Sequence, residues 1–270
     1  PAAEEITTDD GNTTSFSGQE LALSCGEWVA DDDGVRHIIK KGKGISYIWA
    51  STIPVMPLAL LYNADTQSEK VTIGFKKLNQ WRKLTVPRSA IGSPRKILDL
   101  ADKGLEVTSI NALPLISYLS SCITNNFDKL PTYQVVSHFG WVGDDFVPYS
   151  NKYLIDEDIC TRDSLSALAN KGTLDGWINT VRPLLSNTCL RLLVMTSFAT
   201  PLIEKLNTLP FFVVLWGKTG TCKTVTAMVA ASVWGDPTKG KLVKTLNMTS
   251  NSLLSLAALL RNIPLFGDEL

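Results

Sequence analysis

The segment from Phe211 to Thr224 constrains the fold of this chain more than any other. It opens with six apolar residues, Phe-Phe-Val-Val-Leu-Trp, and continues directly into the loop Gly-Lys-Thr-Gly-Thr-Cys-Lys-Thr. An uninterrupted apolar run with β-branched residues is typical of a buried strand, and the alanine- and valine-rich residues 225–233 are typical of a helix. A strand, a glycine-containing loop, Lys-Thr and a helix in this order predict a phosphate-binding loop.

The chemistry of such a loop assigns roles to its residues. Backbone N–H groups and the positive end of the following helix surround the phosphates of a nucleotide. We expect Lys223 to reach the β- and γ-phosphates of ATP, and the Thr224 hydroxyl to bind Mg²⁺. The predicted nucleotide-binding residues are Gly217, Lys218, Thr219, Gly220, Thr221, Cys222, Lys223 and Thr224.

Cys222 departs from the strict pattern, which is Gly, four residues, and then Gly-Lys-Ser/Thr. The cysteine stands in the place of the second glycine, where the backbone comes very close to a phosphate. Because cysteine is small, we expect the loop to be retained. An ordinary strand-to-helix turn rich in glycine and threonine is the alternative interpretation.

The last residues of the chain supply a second motif. The apolar residues 263–267 predict a strand, which ends in Asp268 and Glu269. We expect Asp268 to hold Mg²⁺ through water, and Glu269 to act with Lys223 in catalysis by polarising the attacking water. Asp268 follows Lys223 by 45 positions, about the length that two helices and two strands require. The predicted fold of this part is α/β, a P-loop NTPase parallel sheet truncated after its third strand.

Composition limits the classes of protein to which the chain can belong. Lys+Arg and Asp+Glu both number 26, so any basic surface for nucleic acid must be local. The five cysteines are scattered and form no C-x-x-C pair, which indicates free thiols in a reducing, cytoplasmic location. No segment has the roughly 18 or more consecutive apolar residues of a membrane span.

The residues before the loop predict an α+β domain and then a helical layer. Alternating patterns between 45 and 84 predict strands, and residues 93–101 and 109–125 predict helices. Lysines and an arginine around Trp81 suit either single-stranded nucleic acid or an exposed strand edge. The predicted regions are a polar tail with short strands at 1–44, an α+β domain at 45–160, a helical linker layer at 161–209 and the first half of an ATPase domain at 210–270.

Several of these segments together resemble the domain-of-unknown-function family 927, which occurs in primase-helicase proteins of phages, prophages and mobile elements. The resemblance is carried by the loop 217–224, by Ile-Pro-Leu-Phe-Gly-Asp-Glu-Leu at 263–270, and by residues 98–108 and 139–147. It covers roughly residues 45–270. It implies an AAA+-related helicase ATPase that acts on single-stranded DNA and forms a homo-oligomeric ring in the full-length protein. Family members carry a glycine where this chain has Cys222.

The sequence is therefore compatible with three alternative functions. The first is the ATP-binding and hydrolysing motor portion of a DNA helicase or primase-helicase, incomplete as cut because a sensor residue and an arginine finger would follow Leu270. The second is a nucleotide-binding or assembly module whose altered loop does not support efficient hydrolysis. The third is a P-loop kinase, for which Arg261 is the only arginine after Thr224.

Overall fold

A computed structural model describes residues 12–41, 44–156 and 164–268 of the chain. The chain divides into two compact units, residues 1–134 and residues 135–270. None of the helices in the described ranges is long and apolar enough to cross a membrane.

The first unit consists mainly of antiparallel hairpins. Its strands are β1 (Asn12–Thr13), β2 (Ser24–Gly26), β3 (Trp28–Asp31), β4 (Gly34–Lys41), β5 (Gly44–Ser51), β6 (Val55–Asn63), β7 (Ser68–Lys77), β8 (Gln80–Pro87) and β9 (Thr132–Val136), in which the unit ends. One sheet has the order β3-β4-β5, and a second contains β9-β6-β7-β8. In β7 the side chains of Val71, Ile73 and Phe75 alternate toward the core and are all buried.

Turn chemistry connects the central hairpin of this unit as the sequence predicts. The side chain of Asn63 accepts hydrogen bonds from the backbone N–H groups of Asp65 and Thr66, both at 3.0 Å. An asparagine that bonds the backbone two and three residues ahead stabilises a tight turn. The predicted turn at 63–68 is thereby confirmed, and it sets the pairing of β6 with β7.

Two helices cover the core of the first unit. They are α1 (Pro94–Leu98) and α2 (Ala112–Thr124), preceded by a 3₁₀ turn at Arg88–Ala90. Ser93 caps α1 as predicted, since its side chain accepts from the backbone N–H of Lys96. Leu115, Leu119 and Ile123 lie at helical spacing on the buried face of α2 and join the core cluster of the sheets.

Trp81 serves the fold of the first unit. Its indole Nε1 donates to the carbonyl oxygen of Ser17 at 2.9 Å, and its ring packs edge-on against Phe16. β8 lies at the edge of its sheet. Of the two interpretations of this basic and aromatic segment, these contacts favour the strand edge.

The second unit contains shorter strands and longer helices. Its strands are β10 (Gly140–Val142), β11 (Asp145–Val147), β12 (Tyr153–Ile155), β13 (Val243–Thr245) and β14 (Phe266–Asp268). Its helices are α3 (Leu174–Val181), α4 (Thr188–Lys205), α5 (Lys223–Ala231) and α6 (Ser250–Leu260), with a 3₁₀ turn at Arg182–Ser186. β10 and β11 form the predicted aromatic hairpin, in which the rings of Trp141 and Phe146 meet edge-on at 4.9 Å.

Two predictions about prolines can be compared with the helical layer at 174–205. The predicted break near Pro183 is confirmed, because α3 ends at Val181 and a 3₁₀ turn follows. The prediction that Thr200-Pro201 starts a helix is wrong, since α4 runs through Pro201 to Lys205. The carbonyl of Pro201 accepts a hydrogen bond from Nε1 of Trp141 at 2.8 Å. This contact ties the helix to the aromatic hairpin.

The predicted P-loop parallel sheet is wrong. Residues 210–216 form no strand, and the side chains of Phe212 and Trp216 are 99% and 90% exposed. In the described part of the second unit, β13 pairs in parallel with β14 over three residues each. One isolated parallel bridge joins Lys239 to Val243. An apolar, β-branched run favours a strand only where a neighbouring strand offers hydrogen bonds and a surface to pack on. Most described strands belong instead to the antiparallel hairpins of the first unit.

Candidate nucleotide-binding site

The glycines of the loop occupy positions where the backbone requires them. Gly217 has a φ of 154° and Gly220 a φ of 84°, values that L side chains rarely adopt. The loop leads directly into α5, whose first residue is Lys223. The free N–H groups of this helix start therefore follow a curved, glycine-dependent loop, which is the backbone arrangement that suits an anion.

The side chain of Lys223 folds back onto its own loop. Its Nζ donates to the carbonyl oxygens of Gly217 and Lys218 at 2.9 and 2.8 Å. The Thr221 hydroxyl donates to the same Lys218 carbonyl at 2.8 Å. These bonds hold the loop in a curved conformation and keep one positive charge against its backbone.

Cys222 adopts a left-handed conformation, with φ 59° and ψ 23°. It is the N-cap residue of α5, and its side chain makes no capping hydrogen bond. A residue with a Cβ adopts this conformation at a cost of roughly 1–2 kcal/mol, which glycine avoids. The sequence pattern suggested close approach of a phosphate as the reason for glycine here; the backbone angle is a second reason.

Thr224 and Asp268 are brought into direct contact. The Thr224 hydroxyl lies 3.1 and 3.3 Å from the two carboxylate oxygens of Asp268 and donates to that carboxylate. Asp268 is the last residue of β14 and pairs in register with Thr245 of β13. The side chain of Asp268 is only 17% exposed, so its charge is partly shielded from water. The two motifs therefore meet at the first turn of α5 and the end of β14.

Lys239 is a member of the site that the sequence analysis missed. Its Nζ lies 2.6 Å from Oδ2 of Asp268, and its side chain is 53% exposed. It belongs to no recognisable motif. Its position comes from the fold, since its backbone bridges to Val243 at the start of β13, the strand that pairs with β14. Its ammonium balances the Asp268 carboxylate, and a divalent ion at this carboxylate must compete with it.

The remaining predicted residues differ in what the structure says of them. The loop residues Lys218, Thr219 and Thr221 are exposed. Glu269, the predicted catalytic carboxylate, lies outside the described residues. In the described part of the chain, no group of three or more His, Cys, Asp or Glu side chains could hold a metal ion.

The donor set fits a magnesium ion that travels with a nucleotide. Mg²⁺ is usually held by one or two protein oxygens together with phosphate oxygens and water. Thr224 and Asp268 provide a hydroxyl and a carboxylate at the mouth of the loop. These two residues could hold the ion, and the loop backbone and Lys223 could hold the phosphates.

Comparison with known proteins identifies the family of the chain. The family model for the domain of unknown function DUF927 matches residues 28–270, nearly the whole chain. A search of curated proteins found no match. The chain therefore belongs to the DUF927 family.

Proposed function

We propose that this DUF927 protein binds Mg-ATP through loop 217–224 and Asp268, and that it is the ATP-hydrolysing motor portion of a DNA helicase or primase-helicase. The observation that carries the proposal is the hydrogen bond between Thr224 and Asp268. A threonine directly after the loop lysine and an acidic residue at a strand end are separate motifs in the sequence. Their contact supports a shared role in nucleotide binding.

Lys223 has the central part in phosphate binding. Its ammonium already lies against the loop carbonyls of Gly217 and Lys218. An incoming β- or γ-phosphate offers it charged oxygens, which form stronger hydrogen bonds than neutral carbonyls. The N–H groups at the start of α5 add donors with the same polarity. When bound, Mg²⁺ would neutralise charge on the phosphates.

The later steps rest on the sequence. Glu269 is proposed to orient the water that attacks the γ-phosphate, and Asp268 and Thr224 to hold the metal-bound nucleotide in place. Action on single-stranded DNA and assembly into a homo-oligomeric ring are proposed on the resemblance of the loop and the Asp-Glu segment to primase-helicase members of the family. A cytoplasmic location is proposed on the free cysteines.

A second candidate is a nucleotide-binding module without efficient hydrolysis. Two observations favour it, the left-handed Cys222 at the loop end and the Lys239 ammonium on Asp268. Both oppose tight metal–phosphate binding, the first through backbone strain and the second through competition. The kinase interpretation gains no such support. Arg261, the arginine it relies on, bonds to Glu204 and His138.

Calorimetric titration with ATP, with and without Mg²⁺, tests the binding step. Thr224→Ala and Asp268→Asn should each weaken Mg-ATP binding by about 10- to 100-fold, the range of a lost charge-assisted hydrogen bond. Thr226→Ala is the matched control, since Thr226 lies in the same helix and its hydroxyl bonds to the Cys222 carbonyl. Equal affinity in all four proteins would contradict the site.

Turnover separates the two candidates. Steady-state ATPase activity is measured with and without single-stranded DNA, on the full-length protein and on its Glu269→Gln and Lys223→Ala variants. The motor function predicts DNA-stimulated turnover that both substitutions reduce by at least about a hundredfold. Lys171→Ala, at an exposed lysine outside the loop, should retain it. Binding without turnover would identify the second candidate.

A further inference from the structure

The first unit presents an open strand edge at β5. In the three-stranded sheet β3-β4-β5, β5 pairs with β4 on one side and is the outermost strand on the other. Eight residues, Gly44–Ser51, make up this strand, and none of them is charged. Natural edge strands usually carry lysine, proline or a bulge that prevents pairing with another chain. β5 carries no lysine or proline, and its one irregularity in the pairing with β4 is the extra residue Ala50, where the register passes from Val35 opposite Ser51 to Arg36 opposite Trp49. Residues 45–49 pair with β4 without interruption.

The side chains along this edge are apolar and exposed. Ile45 is 62% exposed, Tyr47 51% and Ile48 40%, and Trp49 follows them at the same edge. Because alternate residues share a face, Ile45, Tyr47 and Trp49 lie on one face of the hairpin. The rings of Tyr47 and Trp49 are 6.5 Å apart, so the apolar surface is continuous. Contiguous exposed apolar surface of this kind marks an interaction site.

Two features fix the part of the edge that is available. The carbonyl of Ala50 already accepts a hydrogen bond from the side chain of Asn111 at 3.0 Å, and Thr52 donates its N–H to Glu106 at 2.7 Å. The strand is therefore occupied from Ala50 onward. Residues 45–49 are the segment whose outward backbone groups can pair with another strand.

The same segment of a second copy of the chain is complementary to residues 45–49. A two-fold axis perpendicular to the sheet pairs a strand with its copy in antiparallel orientation and keeps each face on its own side. Centred on Tyr47, it opposes Tyr47 to the second Tyr47 and Ile45 to the second Trp49. All three residues share one face, so six apolar side chains form a single surface with no charge opposite another.

We propose that two copies of this chain associate through antiparallel pairing of β5 with β5 about Tyr47. The pairing satisfies the outward backbone groups of residues 45–49 and covers exposed apolar side chains on both copies. Arg36 contributes from the neighbouring strand. Its guanidinium lies 5.5 Å above the Trp49 ring, and its paired hydrogen bonds to Asp31 neutralise its charge. The association requires neither nucleotide nor DNA, so it stands or falls separately from the ATP site.

Charge-swapped variants at the axis test the proposal by sedimentation velocity of the 270-residue chain over a range of concentrations. The chain is expected to dimerise. Tyr47→Lys and Tyr47→Glu each place two like charges opposite one another, and each should weaken dimerisation at least about tenfold. An equimolar mixture of the two variants restores opposite charges across the axis and should dimerise again. This rescue depends on Tyr47 facing its own copy.

Two controls keep the outcome decisive. Tyr62→Lys alters another exposed tyrosine of the first unit, 43% exposed on β6, and should leave dimerisation unchanged. Unfolding midpoints of all variants show that loss of the dimer is not loss of the fold. A monomeric wild-type chain at about 100 μM, undiminished dimerisation of the Tyr47 variants, or a mixture that stays monomeric would each overturn the pairing.

Discussion

The two units differ in how continuously they bury their apolar residues. In the first unit, the buried residues of the sheets and of α2 form one cluster that includes Phe75 and Tyr118. Among the described residues of the second unit, the buried ones fall into two clusters, and the buried members of the smaller one are Leu190, Val194 and Ala230. The most apolar run of the second unit, 211–216, is largely exposed.

The difference shows what a hydrophobic pattern requires before it becomes a core. β7 and the run at 211–216 both consist of strand-favouring residues. β7 has β6 and β8 as hydrogen-bonded neighbours and α2 in the same core cluster. Residues 211–216 have no paired strand in the described part of the chain. Pairing and packing, rather than residue type, separate the two segments.

Identical truncations in the two units should give the largest contrast. Phe75→Ala removes a side chain that is 1% exposed and should lower the free energy of unfolding by about 3–5 kcal/mol. Phe212→Ala removes one that is 99% exposed and should change it by less than about 0.5 kcal/mol. Urea unfolding of both variants measures the two values. A large cost for Phe212→Ala would show that the run is buried in solution and would break the comparison.

Removing one hydroxyl from each unit should sharpen the comparison at a smaller scale. The buried Tyr118 hydroxyl donates to the Val55 carbonyl at 2.8 Å, so Tyr118→Phe should cost about 1–2 kcal/mol. The exposed Tyr149 hydroxyl donates to the Trp234 carbonyl at 3.2 Å, where water can replace it. Tyr149→Phe is therefore expected to be close to neutral. Thermal unfolding of the pair gives the difference, and equal costs would contradict it.

Cys222→Gly examines a strained position of the second unit. Glycine relieves the left-handed backbone at φ 59°, and the variant should gain roughly 1 kcal/mol of stability at this position. We also expect tighter binding of Mg-ATP in calorimetry. Cys222→Ala is the control, because alanine keeps the Cβ and with it the strain. A glycine variant no more stable than the alanine variant would rule out backbone strain as a reason to prefer glycine at this position.

The smallest effect expected is a pH dependence in the first unit. Hydrogen bonds from Arg36 hold the pKa of Asp31 below its ordinary value of 3.8. Because the folded pKa is the lower one, this carboxylate contributes stability above its unfolded pKa and loses it as the pH falls through the folded value. Asp31→Asn should reduce the fall in the free energy of unfolding between about pH 5 and 2. Asp128→Asn, at an exposed position, should leave that fall unchanged.

Local signals predicted much of the first unit. The alternation in β7, the asparagine turn at Asn63 and the cap at Ser93 act over a few residues, and each formed as expected. Long-range polar contacts left no such pattern. Asn126 is fully buried and bonds to the backbone N–H and carbonyl of Ser24, 102 positions away. A sequence alone gives no reason to connect these two residues.

The candidate site also contains residues that short motifs mark and one residue that no motif marks. The loop glycines, Lys223, Thr224 and Asp268 were identified because short motifs mark them, and the contact of Thr224 with Asp268 agrees with their expected proximity. Lys239 was missed because a single lysine in a Gly-Lys-rich turn is indistinguishable from a solvated one. The parallel sheet was predicted wrongly because the motif was assumed to imply the neighbouring strands.

The internal bonds of Lys223 determine how nucleotide binding will look to a calorimeter. In the free protein its ammonium is already satisfied by the Gly217 and Lys218 carbonyls. Arrival of a phosphate therefore exchanges one set of hydrogen bonds for another, and the heat released is only their difference. A modest enthalpy would be compatible with a well-formed contact. The salt dependence of the affinity, which follows the charge of the phosphate, is the more sensitive report on this lysine.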